Sequence, residues 1–519
     1  MRSIFFEPKR ATYYPEFAEF EKLCRQGNLI PIYREILADL ETPLSAFMKL
    51  QPQEKSSEGK LQDYTYLLES VEKGERLGRY SFLGIDPFMI FESKGKKGRL
   101  FSSTGKVEIH NIENDPLQTL KQIMQRFKVV NLPHLPIFSG GAVGYVGYDV
   151  VKFWEKISFL DKKDSDFPDL FFIFTKSVVI FDHLDHRIKI ISFAFLDEDE
   201  GSPEKIYQRT TQRIDEIVFR LRSKFSSSLE ISSCIPEKRE IESNFSPESF
   251  TKAVEKAKEY IRDGDIFQVV ISQEFSRKIS SSSLDIYRVL RSLNPSPYMY
   301  FLKCGDFSIA GSSPEILVRK EGKEVILRPI AGTRPRGSCE EDDARLTDEL
   351  LKNDKERAEH IMLVDLGRND LGRVCDYGTV KVKELFSLEK YSHVMHLVSE
   401  VRGTLRDGLD QFDLLRACFP AGTVSGAPKV RAMQIIEELE PCCRGAYGGA
   451  LGYFSFSGNM DTCIIIRTMI VKGDTAYIQA GAGIVADSIP ENEFKETVNK
   501  AKALTSAIEL TEEGKGWFW

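Results

Sequence analysis

Two pairs of carboxylates stand three residues apart in this 519-residue chain: KERAEHIMLVDL carries Glu356 and Glu359, and ENEFKETVNKAK carries Glu493 and Glu496. Spacing of three places both members of a pair on one helix face, aimed at a common neighbour. Such a face is usually solvated. The first pair, however, runs straight into the apolar block IMLV at 361–364, where an unpaired carboxylate is costly. A hard divalent cation between the two helices would relieve that cost. Magnesium fits better than calcium, because it takes few protein carboxylates and completes its shell with water and an anionic substrate.

Several segments could hold the anion. Arg467 interrupts the apolar run CIIIRTMIV and requires a carboxylate partner, from a ligand or from a neighbouring Asp or Glu. TAYIQAGAGIV reads as a strand followed by Gly481, Ala482 and Gly483, where missing side chains let backbone N–H groups approach a ligand. AGTVSGAPKV reads as a Gly-rich turn entering a helix, without the spacing of a Walker A loop. PIAGTRPRG, at 329–337, reads as an anion-gripping turn around Gly332 and Thr333, with Ala331 where a reactive side chain could have stood. Together these suit a small ligand with more than one carboxylate. For acid and base, GSSPEILVR sets Glu315 at the start of a strand, and SHVMHLVSE offers His393 and His396. No third ligand has zinc spacing, so one histidine serves either as a proton shuttle or as a core residue bonded to a carbonyl. A G-x-S-x-G elbow and a dinucleotide G-x-G-x-x-G are both missing.

The elements that must position these groups follow from pattern and punctuation. The Ser-rich stretch RSKFSSSLEISS at 222–233, followed by PEKREIESN, separates two segments of ordinary core composition. We expect a first lobe over 1–235 and a catalytic domain over 244–510. Period-2 runs (LFFIFTKSVVIF, RIKIISFAF) mix with helical stretches such as SPESFTKAVEKAKEYIRDG, whose early proline suits a helix start. SGGAVGYVGYD at 139–149 echoes YGGALGYFSFSG at 447–458, which points either to two lobes on one plan or to chance similarity of Gly-rich strand ends. Lys+Arg 71 against Asp+Glu 78 gives a mild net charge of −7, typical of a soluble globular protein and not of a nucleic-acid binder. Nine cysteines without a C-x-x-C pair read as reduced thiols. With no apolar leader and the most apolar run cut by Lys176, the expected location is the cytoplasm, away from any membrane.

PIAGTRPRG, KERAEHIMLVDLGRNDLGRV, FPAGTVSGAPK, GGALGYFSFSGNMDTCIIIRT and QAGAGIVADSIPENEFKETVNKA together resemble the chorismate-utilising enzymes, most closely their anthranilate synthase component I branch, over about residues 60–508. The resemblance implies an α+β fold, a helix, sheet, sheet, helix sandwich of two intertwined lobes. It implies Mg²⁺ on Glu359 and Glu496 with Glu356 and Glu493 around them. Chorismate would be held by Gly332, Thr333, Tyr447, Arg467, Gly481, Ala482 and Gly483, with Glu315, His396 and Thr423 doing the chemistry. LLES (67–70), RYSFLG (79–84) and NPSPYMYF (294–301) are similar to that branch's feedback site, which would place L-tryptophan on Ser70, Pro297, Tyr298 and Met299. Ammonia would come from a separate glutamine amidotransferase subunit, because the chain has no G-x-C-x-G nucleophile turn. Relatives that make the 4-amino product carry lysine where this chain has Ala331, and water-activating relatives carry a lysine base where it has Gln268. The rival readings are therefore aminodeoxychorismate synthase, isochorismate or salicylate synthase, and, outside enzymes, a catalytically dead tryptophan sensor.

Overall fold

The computed structural model describes residues 12–51, 61–70, 78–103, 105–113, 115–157, 162–197, 201–224, 239–337, 339–390 and 394–514. Its strands are joined through antiparallel ladders, with helices packed outside them. The strand Leu170–Asp182, LFFIFTKSVVIFD, is buried at almost every position. Covered on both faces, it reads in sequence as a continuous apolar run.

The two halves of the chain share their ladders. Tyr64–Glu69 pairs with Tyr298–Cys304, and Gly141–Val146 pairs with Ala450–Ser455. The echoed GGA-x-GY segments are therefore direct neighbours, and Gly144 lies opposite Gly452. Both positions exclude side chains: a Cβ on Gly144 would sit 1.9 Å from the Phe171 carbonyl oxygen, and one on Gly452 2.0 Å from that of Asp461. The polar stretch between the halves lies mostly outside the described residues, from 225 to 238.

Two large apolar clusters hold the layers together. In one, Tyr145, Phe171, Phe172 and Phe454 pack with side chains from the helices Pro116–Met124, Pro247–Arg262 and Gln411–Cys418. In the other, Phe20, Phe47 and Ile214 from the first half pack with Tyr287 and Leu504 from the second, beneath the helices Pro203–Arg222, Ser283–Leu293 and Pro490–Glu512. Helices thus cover the strands from both sides, the mixed α+β layering expected from sequence. Among the described residues no helix is long and apolar enough to cross a membrane, and the eight described cysteines are free thiols.

Candidate active site

The first carboxylate pair sits on the helix Asp354–Gly372, started by Asn353, whose side-chain oxygen accepts from the Glu356 N–H at 3.0 Å. This helix packs on the strands Ile330–Pro335 and Val394–Thr404. The second pair sits on Pro490–Glu512, which packs on the strand Thr475–Ile484. Proline in its first turn, together with Glu491 and Glu493, suits a helix start.

PIAGTRPRG is a strand, not a turn, and its arginines do not face a vacant anion site. Gly332 takes φ +63 and makes a bulge in the ladder between Ala331, opposite Leu397, and Thr333, opposite His396. Arg334 donates to Glu356 at 3.0 Å, and Arg336 pairs with Asp343 at 2.6 Å. Glu356 also closes on the bulge, since a Cβ on Gly332 would lie 3.1 Å from its Oε2. The bulge turns the Gly332 carbonyl toward His396, whose Nδ1 is 3.1 Å away. A carbonyl only accepts, so Nδ1 carries the proton and Nε2 is left as an acceptor. Burial holds the His396 pKa below the usual histidine range, so this neutral form prevails near pH 7. His393 lies outside the described residues.

Glu315 is buried, and burial pushes its carboxyl up to about 8, against the lowering effect of the Thr423 hydroxyl, which donates to it at 3.0 Å. Thr423 belongs to the short 3₁₀ turn Gly422–Val424. The Glu315 carbonyl accepts from the Ile464 N–H at 3.0 Å, which fixes the residue against the strand Met460–Ile464.

Arg467 falls in the break between Met460–Ile464 and Thr468–Lys472, at φ +49. No described residue forms an ion pair with its guanidinium, while Glu315 is near enough to influence its charge. The ligand-carboxylate alternative for Arg467 therefore gains over a structural ion pair. Gly481, Ala482 and Gly483 do not follow their strand but lie within it, paired with Ser272, Ile271 and Val270. On the opposite edge the pairing with Thr468–Lys472 reaches only Ile478, so no described strand covers that edge at 481–483. Tyr447 faces this stretch, since a Cβ on Gly481 would meet its hydroxyl at 2.7 Å.

The two carboxylate helices converge on the same stretch. The Gln268 amide nitrogen lies 3.4 Å from Glu359 Oε1 and would be 2.6 Å from a Cβ on Gly483. From the other side, Lys500 bridges Glu496, at 2.7 Å, and the Gly481 carbonyl, at 2.9 Å. Lys500 was not singled out in the sequence, although its spacing of four from Glu496 is the signal of a helical ion pair. Gln268 Oε1 is buried without a hydrogen-bond partner among the described residues. No group of three or more acidic, histidine or cysteine side chains forms a ready cation cage among them. Glu359 and Glu496 are hard oxygen donors, each linked through one side chain to the stretch 481–483, and two such carboxylates suit a Mg²⁺ whose shell is completed by water and substrate.

A second cavity, of about 940 Å³, is lined by Leu68, Ser70, Tyr80, Pro297, Tyr298 and Met299 among others. Met299 lies between Glu69 and Ser312 in the ladder. Ser70 Oγ is buried there without a partner among the described residues, and Tyr298 donates to Asp461 at 3.0 Å.

Residues 64–506 match the family described as chorismate binding enzyme. The chain is 48% identical over 502 residues to anthranilate synthase component 1 of Acetivibrio thermocellus, covering 96% of this chain and 99% of that one. It is also 48% identical over 497 residues to the protein of that name from Aquifex aeolicus, covering 96% and 98%. Among solved structures it is similar to anthranilate synthase component I from Streptococcus pneumoniae TIGR4, with a TM-score of 0.73 and 39% identity over 91% of this chain and 99% of that one. The menaquinone-specific isochorismate synthase MenF of Escherichia coli, 19% identical with a TM-score of 0.68 over 95% and 100%, shares the fold.

Proposed function

The chain belongs to the chorismate binding enzyme family, and within it we propose that the chain is the large component of an anthranilate synthase, converting chorismate and ammonia to anthranilate and pyruvate. The observation that carries this reading is a buried carboxyl held protonated, Glu315, in a site with no amine at the two positions where relatives resemble it but carry lysine, Ala331 and Gln268. Neither covalent capture nor water activation has its lysine. Ammonia, already a nucleophile once unprotonated, needs neither.

Arg467, Tyr447, Gly332, Thr333 and the open edge at 481–483 hold the carboxylates of chorismate. As the C2–N bond forms and the C4–O bond breaks, Glu315 gives its proton to the departing hydroxyl, which leaves as water. Thr423 keeps the carboxyl oriented. His396, whose Nε2 lacks the proton that Nδ1 carries, takes the C2 proton as the enolpyruvyl C–O bond breaks; the released fragment gains a proton as pyruvate, and the ring becomes aromatic. Gln268, whose Oε1 has no described partner, offers an acceptor near Glu359. Glu359 and Glu496, with Glu356 and Glu493 around them, would hold Mg²⁺, which would supply positive charge for the ring carboxylate. The ammonia comes from a glutamine amidotransferase subunit, in the cytoplasm. L-tryptophan acts as feedback inhibitor in the cavity of Ser70, Pro297, Tyr298 and Met299, where the unpartnered Ser70 hydroxyl is the supporting observation.

Incubation of the chain with chorismate, Mg²⁺ and ammonium at alkaline pH tests the reading. The expected products are 2-aminobenzoate, identified by fluorescence and mass, and pyruvate. Isochorismate, the 4-amino isomer, or a substrate-sized adduct on the protein in intact-mass spectra would each overturn it. Chorismate recovered unchanged, with no pyruvate and no rearranged or aminated product, would leave only the sensor.

A further inference from the structure

The strand Phe307–Ser313 ends between the segment 294–299 and the segment 464–467, and its last two residues are fully buried serines. Ser313 Oγ donates to the Ile464 carbonyl at 2.7 Å, and the Ser312 N–H donates to the Arg467 carbonyl at 3.1 Å. The pair therefore holds both ends of the segment 464–467, in which Arg467 is kept at φ +49, a region that a side-chain-bearing residue occupies only when its surroundings impose it. Two residues beyond Ser313 is Glu315.

The Ser312 side chain faces the other way. Its hydroxyl bonds to the Asn294 carbonyl, accepts from the Asn294 side-chain amide at 3.1 Å and lies 2.8 Å from Ser296 Oγ. Asn294 and Ser296 belong to the segment that continues into Pro297, Tyr298 and Met299, the wall of the second cavity, and Met299 is the ladder partner of Ser312 itself. One buried residue thus grips the inhibitor-side segment with its side chain and the Arg467 backbone with its amide.

Resting on the feedback site proposed above, we infer that Ser312 is a positioning residue that couples the two cavities. Movement of 294–299 on inhibitor binding is carried through the Ser312 hydroxyl to the strand end. The hydrogen bond that keeps Arg467 in its left-handed conformation is then lost, and the guanidinium leaves the orientation that receives a substrate carboxylate. Packed strands with two discrete arrangements transmit such a change without deforming continuously.

The test measures coupling directly. Tryptophan affinity is determined by calorimetry on the full chain with Mg²⁺, with and without saturating chorismate and with ammonium omitted so that turnover does not occur. The ratio of the two dissociation constants is the coupling factor, which linkage requires to equal the effect of tryptophan on chorismate. In Ser312→Ala, and separately in Ser296→Ala, which spares the strand itself, we expect tryptophan alone to bind within about threefold of wild type while the factor falls at least fivefold toward one. Ser312→Cys, which keeps a weak donor, should recover part of it. A destabilised but uncoupled-from-mechanism residue would lower the melting temperature and leave the factor intact. A wild-type factor in both alanine variants would overturn the inference while leaving the feedback site standing. Failure of the wild-type chain to bind tryptophan would remove the feedback site and this inference with it.

Discussion

At the scale of single residues, the site depends on which form each titrating group holds. Glu315 acts as an acid only while protonated, and its carboxyl is pushed up to about 8 by burial, so activity should be full below that pH and fall as pH rises through it. The Thr423 hydroxyl lowers that value. Thr423→Val should therefore move the basic limb of the kcat/KM profile to higher pH, measured with the amidotransferase and glutamine so that ammonium titration does not mask it. An unmoved limb would remove Glu315 from the role. Glu359→Ala and Glu496→Ala should abolish activity with little change in Tm, and wild-type turnover should stop in EDTA and return with Mg²⁺. Glu356→Gln, which loses its charge pair with Arg334, should cost about 10- to 100-fold, the usual effect of a group supporting a ligand. These residues were legible because chemistry demands their types: a carboxylate entering an apolar run or an arginine among isoleucines needs a partner. Lys500 and the tie of Ser312 were not legible, since a lysine on a helix or a serine in a strand is ordinary until its neighbours are known.

At the scale of elements, the sequence placed helices and strands better than it placed their irregularities. Helices came from periodicity and early prolines, both local signals. The Gly332 bulge and the run of Gly481–Gly483 inside a strand depend on a partner strand distant in sequence, which local reading takes for turns. The bulge is the more consequential of the two. Gly332→Ala must hold φ +63 with a side chain 3.0 Å from Leu350 Cδ1 and 3.1 Å from Glu356 Oε2. Strain of about 1–2 kcal/mol is expected from the backbone alone, and relief by straightening the strand would shift Thr333 and the Gly332 carbonyl away from His396. We expect a lower Tm and a fall in kcat of at least tenfold; near-wild-type kcat would show that the bulge does not set the histidine.

At the scale of the whole molecule, the shared ladders decide how it unfolds. The two expected lobes exchange strands through Tyr64–Glu69 with Tyr298–Cys304 and through Gly141–Val146 with Ala450–Ser455. A fragment of residues 244–510 would leave both of the second-half strands with bare edges, which invites association. It should be insoluble or aggregated on size-exclusion chromatography, and the full chain should lose near-UV and far-UV circular dichroism in coincident transitions. A soluble, monomeric 244–510 would show that the halves are independent.

The rung joining Gly144 to Gly452 also has a meaning in time. Its two residues lie roughly three hundred positions apart in the chain, and synthesis proceeds at about 5–20 residues per second. Once the strand Gly141–Val146 has left the ribosome, about 15–60 seconds pass before its neighbour exists. Over that interval the first half carries an open, apolar edge that only its own unborn C-terminal segment can close. For this protein, the vulnerable state in a cell is the nascent chain rather than the finished molecule.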